Sequence, residues 1–343
     1  MACSLIFGGD VAALRNKSDN MFGDLTPAIR DADLAVANLE FALSDRGAPM
    51  RGKIYPHKSP ASVLGAIDDA GFDALNLANN HMLDYGEEPL FDTLKHLADT
   101  GIASFGAGRN FAEAARPAII VRGGLRIGMI GISTTLPTGF AAGAETSGVN
   151  PLRVTTAYRP LRNLEEYPGS EAIIETRPVA DDLARLVADI GRLRQETDIV
   201  LTYVHWGASM NENVHDFQRA IGHAAIDAGA AGVFGGHQHV VSAVEFYAGR
   251  PIVHGMGNLV FDFVAPFFTP ATRRTIVFGA TMTATGLEDC HLICASTGVN
   301  GPVKKLNPQT GEGAELAATL QRLSEPLGSE LTIGADAIAV RAK

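Results

Sequence analysis

The chain has 343 residues, of which 46% are hydrophobic and 19% charged, and its formal net charge is -10. This is an ordinary globular composition, ample for one large α/β domain or for one domain with an appendage. The negative charge argues against nucleic acid as a partner, because binding to a phosphate backbone needs a broad basic surface. It does not exclude an anionic small-molecule, peptide or polymer substrate, which a metal ion or a few local cations could hold.

The predicted location is the cytoplasm. The first residues show no basic segment followed by a long apolar stretch, and no run of about 18 apolar residues occurs in the chain. The three cysteines, Cys3, Cys290 and Cys294, suggest a reducing compartment rather than a disulfide framework. These features predict a protein without a membrane span and leave its oligomeric state open.

Six short apolar runs predict buried strands, because they are rich in β-branched or aromatic residues and end in glycine or polar residues. They cover residues 4–7, 33–37, 72–78, 198–204, 230–234 and 251–256. Helical patterns lie between them at residues 59–71, 87–101, 181–195 and 217–229. This alternation predicts the α/β class, with central sheet structure flanked by helices.

The chain is predicted to form a main domain over residues 1–274. Within it, residues 134–178 lack clear periodicity and are predicted to form a long excursion loop or lid. Three arginines of this loop, Arg153, Arg159 and Arg162, could contact an anionic substrate on closure. Residues 275–343 are predicted to be a strand–helix–strand extension packed on the same domain.

The predicted strands deliver polar residues to one edge of the sheet, where ligands bind in open α/β folds. These residues are Asp10, Glu40, Asn80, His81, His205, His237 and His239. Carboxylates, an amide and imidazoles converging from separate strands are the set that a metal-assisted hydrolase needs. Glu40 or Asp10 could bridge two ions, and an extended "HQH" segment would point His237 and His239 the same way.

A second group of residues is predicted to bind substrate. The segment "RGKIYPHKSP", residues 51–60, places Lys53, His57 and Lys58 before a helix start, where a carboxylate or phosphate could bind. His254 lies in the last predicted strand of the series and Asn258 follows that strand, and both are expected near the same site.

Six motifs, in this order, resemble the CapA (PGA_cap, poly-γ-glutamate capsule biosynthesis) family of the calcineurin-like metallophosphoesterase superfamily. They are "GGD", "ANLE", "NLANNHMLDYG", "VHWG", "GGHQHVV" and "GNLVFD", and the similarity runs from residue 5 to about residue 262. The string "NLANNHMLDYG" is very specific, whereas "GGD" alone would be weak. The resemblance implies a four-layer α/β/β/α fold.

The resemblance also implies roles for individual residues. Asp10 and His239 would hold one divalent metal ion, Asn80, His205 and His237 a second, and Glu40 would bridge the two. His81 would protonate the leaving group, Asp84 would orient His81, and Asp10 would count among the catalytic residues. The ions would be Mn, Fe or Zn, since the mixed ligands suit all three about equally.

The sequence departs from the superfamily pattern at residue 12. The superfamily opens with Asp-x-His, but this chain has Asp10-Val11-Ala12, so the first metal site lacks one ligand and is expected to be weak or empty. The favoured function is a metal-dependent hydrolase in which metal-activated hydroxide attacks a phosphoester or a related ester or amide.

Two alternatives stay open. One is a metal-independent acid/base enzyme on the same scaffold, a peptide epimerase or a γ-glutamyl polymer-processing enzyme, that uses Asp10 and a histidine. The other is a non-catalytic component of capsule or polymer assembly.

Overall fold

The computed structural model describes residues 1–15, 20–262, 269–298 and 301–343. Eight α-helices lie in these ranges: α1 (Thr26–Asp31), α2 (Val63–Ala70), α3 (Glu87–Thr100), α4 (Phe111–Ala114), α5 (Ala180–Glu196), α6 (Asp216–Asp227), α7 (Pro270–Arg273) and α8 (Gly311–Ser324). The first ten strands are β1 (Ala2–Ala12), β2 (Leu34–Leu39), β3 (Ala74–Asn76), β4 (Ala103–Phe105), β5 (Ala107–Gly108), β6 (Ala118–Arg122), β7 (Leu125–Ser133), β8 (Gly148–Val149), β9 (Val154–Pro160) and β10 (Ala172–Pro178). The others are β11 (Ile199–His205), β12 (Gly232–Gly236), β13 (Val244–Tyr247), β14 (Arg250–Val253), β15 (Asn258–Phe261), β16 (Arg274–Thr283), β17 (Gly286–Ser296), β18 (Lys304–Lys305), β19 (Ser329–Ile333) and β20 (Ile338–Ala342).

Two large sheets form the centre of the molecule. One has the order β19-β20-β17-β16-β1-β2-β3-β4, with β15 also paired to β1, and the other has the order β13-β14-β12-β11-β7-β6. Strands β1, β2 and β3 are parallel to one another, as are β7, β11 and β12. The carboxyl ends of these strands therefore lie at the same edge of their sheets, where the polar residues are expected.

Three apolar cores separate four layers. The first lies between the sheets and contains Phe7 of one sheet and Phe234 of the other, whose stacked rings have centroids 4.2 Å apart. The second joins the first sheet to α1, α2 and α3, and the third joins the second sheet to α5 and α6. This α/β/β/α arrangement confirms the predicted fold class.

Two of the predicted helical patterns, 59–71 and 87–101, end in glycines that cap the observed helices. Helices α2 and α3 end at Gly71 and Gly101, whose φ angles of 93° and 83° are in the left-handed region that glycine adopts without strain. In the described ranges, every helix is too short or too polar to cross a bilayer.

The prediction of an excursion loop over residues 134–178 is wrong for its second half. Strands β9 and β10 pair as an antiparallel hairpin, and most of their side chains are exposed or half-buried. A hairpin that buries neither face needs no alternation of apolar and polar residues, so its sequence carries no strand pattern. Arg153 pairs with Asp182, and Arg159 with Glu175, so both guanidinium groups are engaged within the chain.

The C-terminal residues join the first sheet. Strand β16 pairs with β1 along residues 2–7, and β17, β20 and β19 continue the sheet outward. Two strands follow helix α8, rather than the single strand predicted. The boundary after residue 274 stays a prediction.

A buried ion pair ties the end of β1 to the end of β15. Asp262 is 4% exposed; its carboxylate forms a bidentate pair with Arg15 and accepts the backbone N–H of Leu14 at 3.0 Å. We expect Asp262→Ala to lower the free energy of unfolding by about 2 kcal/mol, because it leaves the half-buried guanidinium of Arg15 without its carboxylate. Chemical denaturation measures this loss. Asp336→Ala, which removes the exposed partner of Lys305, is the control and should change stability by less than about 0.5 kcal/mol.

Candidate active site

Two buried carboxylates and a histidine form the centre of the site. Asp10 lies in β1 between Asn38 of β2 and Asn258 of β15, and Glu40 follows the last residue of β2. Ligand atoms of Asp10, Glu40 and His239 all lie within 4.8 Å of one another. The structure thus brings together, from separate strands, three of the residues that the sequence predicts to bind metal.

The two carboxylates differ in their hydrogen bonds. Asp10 accepts the side-chain amide of Asn38 at 2.8 Å, the hydroxyl of Tyr203 at 3.2 Å and the backbone N–H of His237 at 3.2 Å. Glu40 is fully buried, and neither of its carboxylate oxygens has a hydrogen-bond partner among the described residues. Leaving a buried carboxylate without a partner is costly unless a cation binds it.

Burial dominates the ionisation of this pair. It raises the pKa of Glu40 well above its ordinary value, and the nearby charge of Asp10 raises that pKa further. Burial also raises the pKa of Asp10, against the effect of His239 and of the three hydrogen-bond donors. Both carboxylates would therefore gain from a bound cation, which restores the charged form. The donor set fits a divalent ion, with Glu40 as the ligand that lacks any other partner.

His239 is held in the orientation that a ligand needs. Its Nδ1 lies 3.0 Å from the side-chain oxygen of Asn258, and its Nε2 lies 3.7 Å from Glu40. Because an amide oxygen only accepts, Nδ1 carries the proton and Nε2 faces the carboxylate with its lone pair. The Asn258 amide nitrogen is also engaged, donating to the carbonyl oxygen of Thr272 at 2.9 Å. Asn258 lines the cavity, but its polar atoms position His239.

The "HQH" segment is a turn and not the extended segment that the sequence suggested. His237 and His239 have φ angles of 95° and 58°, in the left-handed region that non-glycine residues seldom adopt. The close approach of β12 to the side chains of Tyr203 and Asp10 depends on Gly236. A Cβ atom at this position would lie 2.1 Å from the Tyr203 hydroxyl and 2.6 Å from Asp10. The backbone conformation of this turn directs both imidazoles toward the site.

Three further predicted ligands lie on the other side of the site. His205 is the last residue of β11, and its Nε2 lies 2.7 Å from the side-chain oxygen of Asn80. The imidazole rings of His205 and His237 have centroids 4.9 Å apart, and Nδ1 of His237 is buried without a hydrogen-bond partner in the described chain. Burial lowers the pKa of both histidines well below the ordinary value, so both are neutral and able to ligate metal.

Two residues that sequence reasoning missed support these groups. Tyr203 is fully buried, and its hydroxyl lies between Asp10 and Nδ1 of His205, 3.4 Å from the latter. Asn38 donates to Asp10 and accepts the amide of Asn76 at 2.7 Å. The signal in the sequence is weak: Asn38 directly precedes Leu39-Glu40 in "ANLE", and Tyr203 is two residues before His205, on the same face of the strand.

His81 and Asp84 form a hydrogen-bonded pair at the edge of the cluster. Nδ1 of His81 lies 2.5 Å from Asp84, and Nε2 lies 3.9 Å from Glu40. Burial lowers the pKa of His81 to about 4, although the bond to Asp84 opposes this effect. The resting imidazole is therefore neutral, donates Nδ1–H to Asp84 and presents the Nε2 lone pair to the site.

The Lys53 ammonium contacts Asp84 of this pair, so it is already engaged within the chain. It lies 2.7 Å from Asp84 and also donates to the backbone carbonyl of Asn80. The backbone N–H of His57 donates to the same carboxylate at 2.8 Å. The segment predicted to bind substrate thus encloses Asp84, although Lys53 and His57 still line the cavity.

The cavity beside the cluster has a volume of about 640 Å³. His81, His237, His239 and Asn80 form part of its wall. Two residues predicted to bind substrate are absent from the wall. The Lys58 ammonium donates to the carbonyl of Arg46, and His254 is fully buried, stacks on Trp206 and bonds to Glu245 at 2.9 Å. His254 follows a strand, but its side chain lies behind the site.

The fold and the site define an α/β/β/α protein with a buried cluster of carboxylates and histidines at the strand ends. The family model described as "Bacterial capsule synthesis protein PGA_cap" matches residues 4–263, and the chain belongs to this family. The family predicted from the motifs is therefore confirmed.

Named relatives are similar over the same region. "PGA biosynthesis protein CapA" of Bacillus subtilis is 28% identical over 250 residues, which is 71% of this chain and 57% of the relative. "Probable polyglutamine synthesis accessory protein" of Mycobacterium tuberculosis is 32% identical over 237 residues, 67% of this chain and 56% of the relative. The chain spans less than two thirds of the length of either relative.

A solved structure with partial likeness is a 5'-nucleotidase precursor from Thermus thermophilus. It shares 14% identity with a TM-score of 0.44, covering 95% of this chain and 59% of that chain. At this level of similarity, the likeness does not bear on the activity of the chain.

Proposed function

We propose that the chain is a metal-dependent hydrolase of phosphoesters or related esters and amides. The observation that carries the proposal is Glu40, a fully buried carboxylate without a hydrogen-bond partner in the described chain, whose oxygens lie beside Asp10 and His239. Divalent ions held here would supply Lewis-acid polarisation of a substrate oxygen.

The ligands divide into two sets. Asp10, Glu40 and His239 would hold one ion, and Asn80, His205 and His237 a second, with Glu40 shared between them. The first set is compact even without the histidine expected at residue 12, so we expect it to bind metal. Mn, Fe and Zn suit these ligands about equally.

The remaining residues handle substrate charge and protons. An anionic substrate next to Nε2 of His81 would raise the pKa of that imidazole, because a negative charge within about 4–6 Å favours the charged form. The imidazolium would then give its proton to the leaving-group oxygen while Asp84 stabilises the positive charge. The ammonium of Lys53, 2.7 Å from Asp84, holds that carboxylate in place.

The first experiment is elemental analysis of protein purified without added metal and without an affinity tag. We expect about two transition-metal ions per chain. We also expect hydrolysis of 4-nitrophenyl phosphate esters, and this activity should be lost in a chelator and restored by added metal. A folded protein that takes up no metal and hydrolyses none of these esters would refute the proposal.

One observation favours a second candidate, a metal-independent acid/base enzyme acting on a peptide. Asp10 and Glu40 have raised pKa values beside neutral histidines, a set that could exchange protons without metal. This enzyme would exchange deuterium into a substrate Cα position in the presence of a chelator. Absence of exchange with every peptide tested would leave the hydrolase as the remaining enzymatic candidate.

A further inference from the structure

The cavity wall next to the imidazoles of His81 and His239 is apolar. Phe41 and Phe261 are 1% and 9% exposed. The ring of Phe41 packs edge-on against His81 with centroids 5.2 Å apart, and the ring of Phe261 lies 5.1 Å from that of His239. Phe140 lines the same space, with the Lys53 ammonium 4.9 Å from its ring centre. A group attached to the reacting bond would therefore lie beside aromatic rings, of which Phe261 exposes the most surface and Phe41 and Phe140 very little.

The apolar surface continues to the mouth of the cavity. Ile54 and Met210 line it and are 80% and 38% exposed, which is unusual for side chains of this size. At the inner end, Ala12 packs against Phe41 and Phe261. Ala12 is fully buried and supports these two rings from behind the cavity wall.

The charges around the cavity do not suit a polyanion. Among its described lining residues, the arginine and lysine side chains are Arg51 and Lys53. The Lys53 ammonium is already bound to Asp84 and to the Asn80 carbonyl. A chain of repeated carboxylates would need several cations along its path, but the cavity offers Arg51 at its exposed rim.

We propose that the substrate carries an aromatic or branched aliphatic group directly beside the reacting bond, and that this group occupies the cavity walled by Phe41, Phe140 and Phe261. The negative charge of the substrate is then confined to the reacting group. This inference rests on the proposed hydrolase function and narrows its substrate class. The cavity volume of about 640 Å³ exceeds that of a phenyl or indole group, so the site admits such a group without rearrangement.

The test compares three phosphonic acids that differ in one substituent: phenylphosphonate, methylphosphonate and 2-carboxyethylphosphonate. Their Kd values for the full, metal-loaded chain are measured by calorimetry, and kcat/KM is measured for their 4-nitrophenyl monoesters, which share one leaving group. We expect phenylphosphonate to bind at least about tenfold more tightly than methylphosphonate, because burial of apolar area favours binding. We expect 2-carboxyethylphosphonate to bind no more tightly than methylphosphonate.

The outcomes separate this inference from the proposed function. Equal Kd values, or tightest binding of the carboxyethyl compound, would overturn the inference even if all three esters were hydrolysed. Preferential binding of phenylphosphonate without hydrolysis of any ester would support the inference and count against the hydrolase. Failure of all three acids to bind would overturn the inference, and metal content and ester hydrolysis would then decide the hydrolase separately.

A surface variant tests whether the preference arises in this cavity. We expect the double substitution Ile54→Ser and Met210→Ser to reduce the phenyl-to-methyl ratio of Kd values about threefold, since it removes apolar surface at the mouth. Both side chains are exposed, so folding should be unaffected. Ile174→Ser, on the exposed hairpin, is the matched control and should leave the ratio unchanged. An unchanged ratio in the double variant would show that the mouth contributes nothing to the preference and would overturn this extension of the apolar site.

Discussion

Glu40→Gln should reduce hydrolysis by about a thousandfold or more and remove bound metal. Glutamine is nearly the same size, but it carries no charge and has one acceptor oxygen in place of two. The effect should exceed the 10–100-fold typical for residues that only hydrogen-bond a ligand, because Glu40 is expected to contact metal directly. Elemental analysis and steady-state kinetics on the same preparations measure the two losses.

Glu40→Gln should also change how the stability of the metal-free protein depends on pH. The pKa of Glu40 is raised in the folded state, so its contribution to stability is present below its unfolded pKa of about 4.3 and is lost as pH rises toward the folded pKa. The buried histidines His205 and His237 have lowered pKa values and act in the opposite sense, so the difference between the two proteins isolates Glu40. Between pH 5 and pH 8, Glu40→Gln should gain stability relative to metal-free wild type. Thermal unfolding in chelator at several pH values checks the sign.

Glu245→Gln is the matched control, since it makes the same change at another buried carboxylate. Glu245 accepts hydrogen bonds from His223 and His254 and lies outside the cluster. This variant should keep its metal and lose stability. Full metal content and activity in Glu40→Gln would show that Glu40 is not a ligand.

His81→Asn should lower kcat by about 10²–10⁴-fold while leaving the metal content unchanged, as expected for loss of a general acid. The loss should be larger for a phenyl phosphoester than for the matching 4-nitrophenyl ester, because nitrophenolate departs without a proton. Asp84→Asn should give a smaller loss of the same pattern, since it affects the reaction through His81. His96→Ala, which alters a histidine of α3 outside the cavity wall, should have no effect.

The pH dependence of kcat gives a separate test of His81. An acid must be protonated, so kcat should fall as pH rises through the pKa of His81 in the substrate complex. That pKa should lie above the value of about 4 in the resting site, because bound anionic substrate favours the imidazolium. The falling limb should be absent in His81→Asn. An identical limb in the variant would assign it to another group, and an equal loss for both leaving groups would exclude the acid role.

Much of the fold and of the cluster can be predicted from the sequence. Apolar runs that end in polar residues mark the buried parallel strands, and parallel topology alone brings those ends together. The compact group of Asp10, Glu40 and His239 follows from that rule. The roles assigned to these residues stay predictions until metal binding is measured.

Other features depend on conformations that sequence patterns do not encode. The left-handed turn at His237 and His239 replaces an extended segment, and within it the backbone N–H of His237 donates to Asp10, a contact distant in sequence. His254 follows a strand as the predicted ligands do, yet the direction of its side chain is decided by Trp206 and Glu245. The hairpin β9–β10 was missed because periodicity reports burial, and it buries neither face.

The asparagines behind Asp10 restrict how that carboxylate can exchange protons. The Asn38 amide must turn its nitrogen toward Asp10, so its oxygen faces away and accepts from the nitrogen of Asn76. Reversing one amide would place two oxygens or two nitrogens face to face, so the pair can reverse only together. Amides also exchange protons far less readily than carboxyl or imidazole groups. The asparagine side of Asp10 is therefore a barrier to proton flow, and protons reach or leave this carboxylate through its other neighbours, which include the Tyr203 hydroxyl.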